Sequence, residues 1–161
     1  MSEAHDLSGI QYSGEQTHGG DRVVIVVSKW NPEITETLFQ GAVKVLQSVG
    51  VRDENILRYD VPGSYELPAG ADIALQKHPN LDGIICLGCV IQGETRHFEF
   101  ISQAVATGIM KVGLEYHCPV IFGVLTPDTM QQAKDRAGGK YGNKGEEAAV
   151  ALLEMIDLER G

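Results

Sequence analysis

Four short apolar runs, each followed by a stretch of helical periodicity, constrain this chain more than any other feature. The runs are RVVIVVS, NILRYDV, GIICLGCVI and PVIFGVL. After the first, Ile34, Leu38, Ala42, Val45 and Val49 recur at helical spacing and stop at Gly50. After the second, Pro62-Gly63 closes the strand, and a helix over 66–76 is expected with a proline in its first turn. Phe98, Ile101, Val105, Ile109 and Val112 mark a third helix. Beyond the fourth run, a short helix over about 129–137 and a long one from about Asn143 complete the pattern. Strands that alternate with helices need crossover connections, so they pair in parallel with helices on both faces. The expected fold class is therefore α/β, a three-layer sandwich around a central four-stranded parallel sheet. The third run is apolar on both faces and belongs at the centre.

No internal repeat or linker divides the pattern, so residues 21–161 read as one domain. Residues 1–20 are polar and glycine-rich, end in THGGD, and read as an arm that cannot bury itself alone. A hydrophobic content of 43% over the whole chain suits one domain with a sizeable core. No run approaches a membrane span and no basic-then-apolar leader is evident, so a cytoplasmic protein without membrane partners is expected. A net charge of −9 argues against general affinity for nucleic acid, and any anionic ligand needs a local basic pocket. Cys86 and Cys89 form a C-x-x-C, but their odd spacing in a strand sends the side chains to opposite faces. Two packed thiols are expected there, with neither a metal nor a redox pair.

In parallel α/β sheets ligands gather at the carboxyl ends of the strands, which here read KWN, VPGSYE, QGETRH and TPDT. Trp30, the only tryptophan, either stacks on a planar heterocycle or caps the edge of the core, with Asn31 supplying hydrogen bonds. Ser64 and Glu66 have the oxygens to hold a polyol, although exposed turn residues look the same. Gly93 and the amides that open the next helix form a usable phosphate cradle, with neither a dinucleotide nor a Walker pattern. His97 lies in that helix's first turn, where the dipole disfavours its cation, so it is either a proton-transfer group or a solvated histidine. Lys134, Arg136, Lys140 and Lys144 cluster in AKDRAGGKYGNKG, either as a phosphate site or as a solvated helix end. Phe122, in mid-strand, reads as core. A phospho-acceptor receiver domain shares the architecture, but it needs acidic residues where this chain has SKWN and QGET.

Taken together, WNPEITETLFQGA, VPGSYELPAGA, GCVIQGETRHFEFIS, PVIFGVLTPDTMQQAKDRAG and GNKGEEAAVALLEM resemble one family, 6,7-dimethyl-8-ribityllumazine synthase. The likeness covers residues 22–155 and spares the arm. It implies a flavodoxin-like strand order and a condensation of 5-amino-6-(D-ribitylamino)uracil with 3,4-dihydroxy-2-butanone 4-phosphate. That reaction releases phosphate and water in riboflavin biosynthesis without metal or organic cofactor. Carried over, Trp30 stacks on the pyrimidine beside Asn31, while Ser64, Tyr65 and Glu66 line the ribityl site. Cys89, Val90 and Ile91 meet the ring and side chain, and Phe122 and Lys144 complete the substrate contacts. Glu94 and Thr95 offer amides to the phosphate, Arg136 pairs with it, and His97 transfers protons. The family takes Phe122 and Arg136 from a neighbouring subunit, so the resemblance implies a homopentamer. It further implies an icosahedral 60-mer shell, given the compact RAGGKYGNKG and an arm free to add to a neighbour's sheet.

Three positions depart from the family's pattern: Trp30 where phenylalanine is common, Glu94 where alanine is, and Asp135 where glutamate is. An archaeal-type riboflavin synthase and a non-catalytic flavin-binding shell protein are the competing readings.

Overall fold

The computed structural model describes residues 6–161 as a four-stranded parallel sheet between two helical layers. The first run forms β1 (Val23–Ser28), buried along its whole length, and Pro32 opens α1 (Pro32–Ser48). Then follow β2 (Ile56–Val61), α2 (Leu67–Lys77), β3 (Gly83–Cys89), α3 (His97–Tyr116) and β4 (Val120–Leu125). The chain ends with α4 (Met130–Asp135), a small ribbon of β5 (Ala137–Gly139) and β6 (Gly142–Asn143), and α5 (Lys144–Arg160). The sheet order is β2-β1-β3-β4, so the expected architecture and the central place of the third run hold.

The period of two along each strand divides the core. Val23, Ile25 and Val27 of β1 join Ile85 and Leu87 of β3 under Leu38 of α1 and Leu152 of α5. Val24, Val26, Ile84 and Cys86 face the other way, onto Leu67 of α2 and Val105 and Ile109 of α3. Each fully buried Leu or Ile contributes roughly 1.5–3 kcal/mol relative to exposure, which fixes the strand register against a one-residue slip. Cys86 and Cys89 fall in opposite clusters, as their spacing predicts. Burial pushes the Cys86 thiol up to about 12 and that of Cys89 to about 11, so both stay protonated at neutral pH.

Several local expectations need correction. The second helix does not begin at Glu66: Ser64–Glu66 is a single 3₁₀ turn, and the α-helix starts at Leu67 with Pro68 in its first turn. The short helix ends at Asp135 rather than 137, because the chain turns into the β5–β6 ribbon, a feature without periodicity. Thr129 and Asn143 are caps rather than helical residues. The Thr129 side chain accepts from Gln132 N–H, and Asn143 Oδ1 accepts from Gly145 and Glu146. Asn143 also donates to Thr37 O at 3.0 Å, tying α5 to α1. The two helices approach so closely there that a Cβ on Gly145 would lie 1.8 Å from Leu38 O, so only glycine fits.

The arm from Asp6 onward lies on its own chain without forming a strand. Leu7 is buried and donates its N–H to Tyr141 O at 2.7 Å. His18 is fully buried, with Nδ1 2.7 Å from Asp21 and Nε2 2.8 Å from the Tyr12 hydroxyl. Tyr12 donates to Asp157, and Arg160 pairs with Asp21, so α5 anchors the arm. Of residues 6–20, Leu7 and His18 are buried against this chain and most of the others are exposed, and the first five residues lie outside those described. Among the described residues no helix is long and apolar enough to cross a membrane.

Candidate functional site

Ser28 ends β1, and Lys29 continues the β1–β2 ladder through its N–H to Val61 O at 2.9 Å. Asn31 then takes the left-handed conformation (φ 57°), which turns the chain sharply into α1. Asparagine tolerates that region better than most residues. Its Nδ2 donates to Cys89 O at 3.0 Å, locking the turn to the end of β3. Trp30, at the apex, is 71% exposed. It therefore does not cap the core, and its ring faces are open for stacking.

Gly63 brings the next strand end against it. A Cβ there would come within 3.0 Å of Trp30 Cδ1 and 3.3 Å of Glu66 Oε2, so the indole edge and the carboxylate converge on one point. Glu66 is held by its N–H to Gly63 O at 3.1 Å. Ser64 is buried, and its Oγ has no hydrogen-bond partner among the described residues; the Oγ of Ser28 is in the same condition. A Cβ on Gly88 would fall 2.5 Å from Ser64 Oγ, so the glycine of β3 makes room for that hydroxyl. Tyr65 is exposed beside it.

Beyond Cys89, the pairing of β3 with β4 continues through Val90 N–H to Leu125 O and Gln92 N–H to Pro127 O. Val90 and Ile91 are half-buried, and the chain from Gln92 to His97 is exposed. His97 is the first residue of α3, and the Arg96 N-cap makes no side-chain capping bond. Arg96 thus caps none of the early amides of α3, at the positive end of a 20-residue helix. Thr95 Oγ1 accepts a long bond from His97 N–H at 3.4 Å. α3 packs against the Ser64–Glu66 turn, which places His97's helix beside Ser64 and Glu66.

A second group lies apart. Phe122 on the edge strand β4 is half-buried: it packs against the core cluster of Val24, Val26 and Cys86, and it lines a cavity of about 380 Å³ with Arg136, Lys144, Leu7, Thr126 and Asp128. Arg136 donates from Nη1 to Gln132 O at 3.3 Å, and its Cζ stands 4.9 Å from the centre of the Tyr141 ring. Lys144 pairs with Glu147 at 2.9 Å. Trp30, Asn31, Ser64, Glu66 and His97 do not line this cavity. One chain therefore brings Trp30 to Glu66 over Gly63, Asn31 to Cys89 and Ser64 to Gly88, with Tyr65 beside Ser64 and Val90 and Ile91 following Cys89 in the chain. Phe122, Arg136 and Lys144 line the other cavity. Sequence reasoning missed Ser28, whose buried hydroxyl leaves no trace in a β-branched run, and Tyr141, although Tyr141 sits inside the basic cluster. Among the described residues no group of three or more His, Cys, Asp or Glu is placed to hold a metal.

Residues 20–160 match the family profile of 6,7-dimethyl-8-ribityllumazine synthase. A protein of that name from Cytophaga hutchinsonii is 56% identical over 158 residues, covering 97% of this chain and 98% of the relative. One from Parabacteroides distasonis is 46% identical, covering 96% of this chain and 92% of its own. One from Pediococcus pentosaceus is 45% identical, covering 93% and 96%.

Proposed function

The chain belongs to the 6,7-dimethyl-8-ribityllumazine synthase family, and we infer from that membership and from the site that it makes 6,7-dimethyl-8-ribityllumazine. The reaction joins 5-amino-6-(D-ribitylamino)uracil to 3,4-dihydroxy-2-butanone 4-phosphate. The uracil's amine adds to the ketone and loses water to give an imine. Phosphate leaves by elimination, and the ribityl-bearing nitrogen closes the ring with loss of a second water. This is amine–carbonyl chemistry, so the protein's main work is to hold two substrates in register.

On this reading Trp30 stacks on the pyrimidine, and Asn31, Ser64, Tyr65 and Glu66 receive the ribityl chain. Glu94 and Thr95 offer backbone amides to the phosphate, and His97, next to them, moves protons. The observation that carries the reading is the convergence of Trp30 and Glu66 over Gly63, on the turn against which α3 packs. Phe122, Arg136 and Lys144 act in a neighbour's site, a reading supported by their lining a cavity that neither Trp30 nor His97 lines. The working unit is then a ring of subunits, a pentamer. Closure of pentamers into a shell would require the arm to exchange its place on α5 for a neighbour's sheet, and sedimentation decides it.

Incubation with both substrates should produce lumazine absorbance, whereas lumazine alone should give no riboflavin. Riboflavin from lumazine alone would establish the archaeal-type synthase instead, and tight flavin binding without turnover would establish the non-catalytic reading. His97→Ala should be slowed by roughly a hundredfold to ten-thousandfold yet remain active, since positioning survives the loss of the proton shuttle.

A further inference from the structure

Arg136 ends α4, where its backbone N–H bonds to Ala133 O at 3.1 Å and its carbonyl accepts from Lys144 N–H at 2.8 Å. Those bonds fix the backbone and leave the long side chain free to sweep. Two contacts restrain it: Nη1 donates to Gln132 O, and the guanidinium lies 4.9 Å from the centre of the Tyr141 ring. The backbone that carries the ring is fixed in turn, since Tyr141 N–H bonds to Asp135 O at 2.7 Å and its carbonyl accepts from Leu7 N–H at 2.7 Å. Tyr141 is half-buried, and Lys140 Nζ also stands 5.0 Å from its ring. An arginine whose guanidinium is stacked and tethered at one nitrogen keeps its other N–H groups for a ligand, and it loses less entropy on binding than a free side chain.

We propose that Tyr141 is a positioning residue for the phosphate substrate, acting through Arg136. The proposal rests on the reading that Arg136 binds that phosphate. A planar ring beside a planar cation selects one orientation of the guanidinium, so the fork meets the phosphate oxygens without first being ordered. Tyr141 itself touches no reacting atom. Its effect belongs to the affinity for butanone phosphate and not to the aminouracil or to the proton transfers.

The test is steady-state kinetics on the full chain, varying each substrate in turn, for Tyr141→Leu, Tyr141→Phe, Arg136→Ala and the double variant Arg136→Ala/Tyr141→Leu. Tyr141→Leu should raise the KM for butanone phosphate roughly twofold to tenfold, the scale of a partly exposed cation–aromatic contact. The KM for the aminouracil and kcat should be preserved. Phenylalanine keeps the ring and should restore the wild-type KM. In the Arg136→Ala background the leucine substitution should add nothing, because the residue it acts through is gone. Tyr141→Gln repeats the measurement without an apolar surface if the leucine variant fails to fold.

Equal changes in both KM values, or a leucine effect undiminished without Arg136, would make Tyr141 a merely structural residue and overturn the proposal. So would wild-type kinetics for Tyr141→Leu. An unchanged phosphate-substrate KM in Arg136→Ala would instead refute the underlying assignment of Arg136.

Discussion

If Arg136 serves a neighbour's site, two crippled variants should repair each other. His97→Ala damages the group at the ends of β1, β2 and β3, and Arg136→Ala damages the group on the far side of β4. His97 is exposed and Arg136 is half-buried with one side-chain hydrogen bond, so neither change disturbs the core. Losing a charge-assisted fork to phosphate costs about 1.5–3 kcal/mol, or roughly tenfold to a hundredfold in kcat/KM. Losing the proton shuttle costs roughly a hundredfold to ten-thousandfold. Each homo-oligomer alone, assayed with butanone phosphate below its KM, should thus show a tenth of wild-type activity or less.

When the two are unfolded together in equal amounts and refolded, subunits meet at random around the ring. A site is intact when one chain lends a sound His97 and its neighbour a sound Arg136, which happens at about a quarter of the interfaces of a cyclic assembly. Lumazine absorbance should recover to about that fraction. The control is the double variant His97→Ala/Arg136→Ala mixed equally with wild type: a shared site again predicts about a quarter, and a site within one chain about a half. Activity no higher than the mean of the two single variants, with a half in the control, would refute the shared site.

Asn143→Ala removes the α5 cap and the bond to Thr37 O together, so it should cost about 1–3 kcal/mol, read as a lower urea midpoint. The thiols of Cys86, Cys89 and Cys118 are pushed up by burial to about 12, 11 and 11, so a thiol reagent at pH 8 should label none until the protein unfolds. Burial first, and then its hydrogen bond to Asp157, pushes the Tyr12 phenol up to about 12 from 10.0. The folded state therefore holds that proton more tightly, and the stability this contributes is fully present below pH 10 and lost as the pH rises through about 12. Tyr12→Phe should remove a late-ionising component from the tyrosine absorbance titration.

The sheet and its four main helices were legible because burial on both faces leaves unbroken apolar runs and helices leave a period near 3.6. What blurred were the ends. Thr129 and Asn143 are cap residues, and a cap belongs to the helix by hydrogen bond but not by conformation. The Ser64–Glu66 turn and the β5–β6 ribbon are two or three residues long, too short to show any period. Asn31's left-handed backbone follows from a tertiary bond to Cys89 O, which no local pattern announces. Phe122 was legible only in part, for a topological reason. Its alternation matches a buried strand face, but β4 is the edge of the sheet, and one flank stays open to the cavity.

The same topology explains how an acidic chain receives a phosphorylated substrate. A net charge of −9 repels a phosphate at long range, so attraction has to be local and confined within about one Debye length, ~8–10 Å. The start of α3 supplies part of it through its early amides, but Glu94 beside them is anionic and exposed. Alone, that half-site is a poor anion trap. Arg136 and Lys144 line the other cavity with Asp128, and since Lys144 is paired with Glu147, Arg136 is the cation there without an ion-pair partner among the described residues. If the second group of one subunit docks onto the first group of the next, as proposed, Arg136 would stand opposite Glu94 and the phosphate together. The carboxylate's repulsion is then offset where the substrate sits and remains elsewhere. It follows that Glu94→Gln should matter little in the assembled ring and should partly rescue Arg136→Ala, a gain that a purely backbone role for residue 94 does not give.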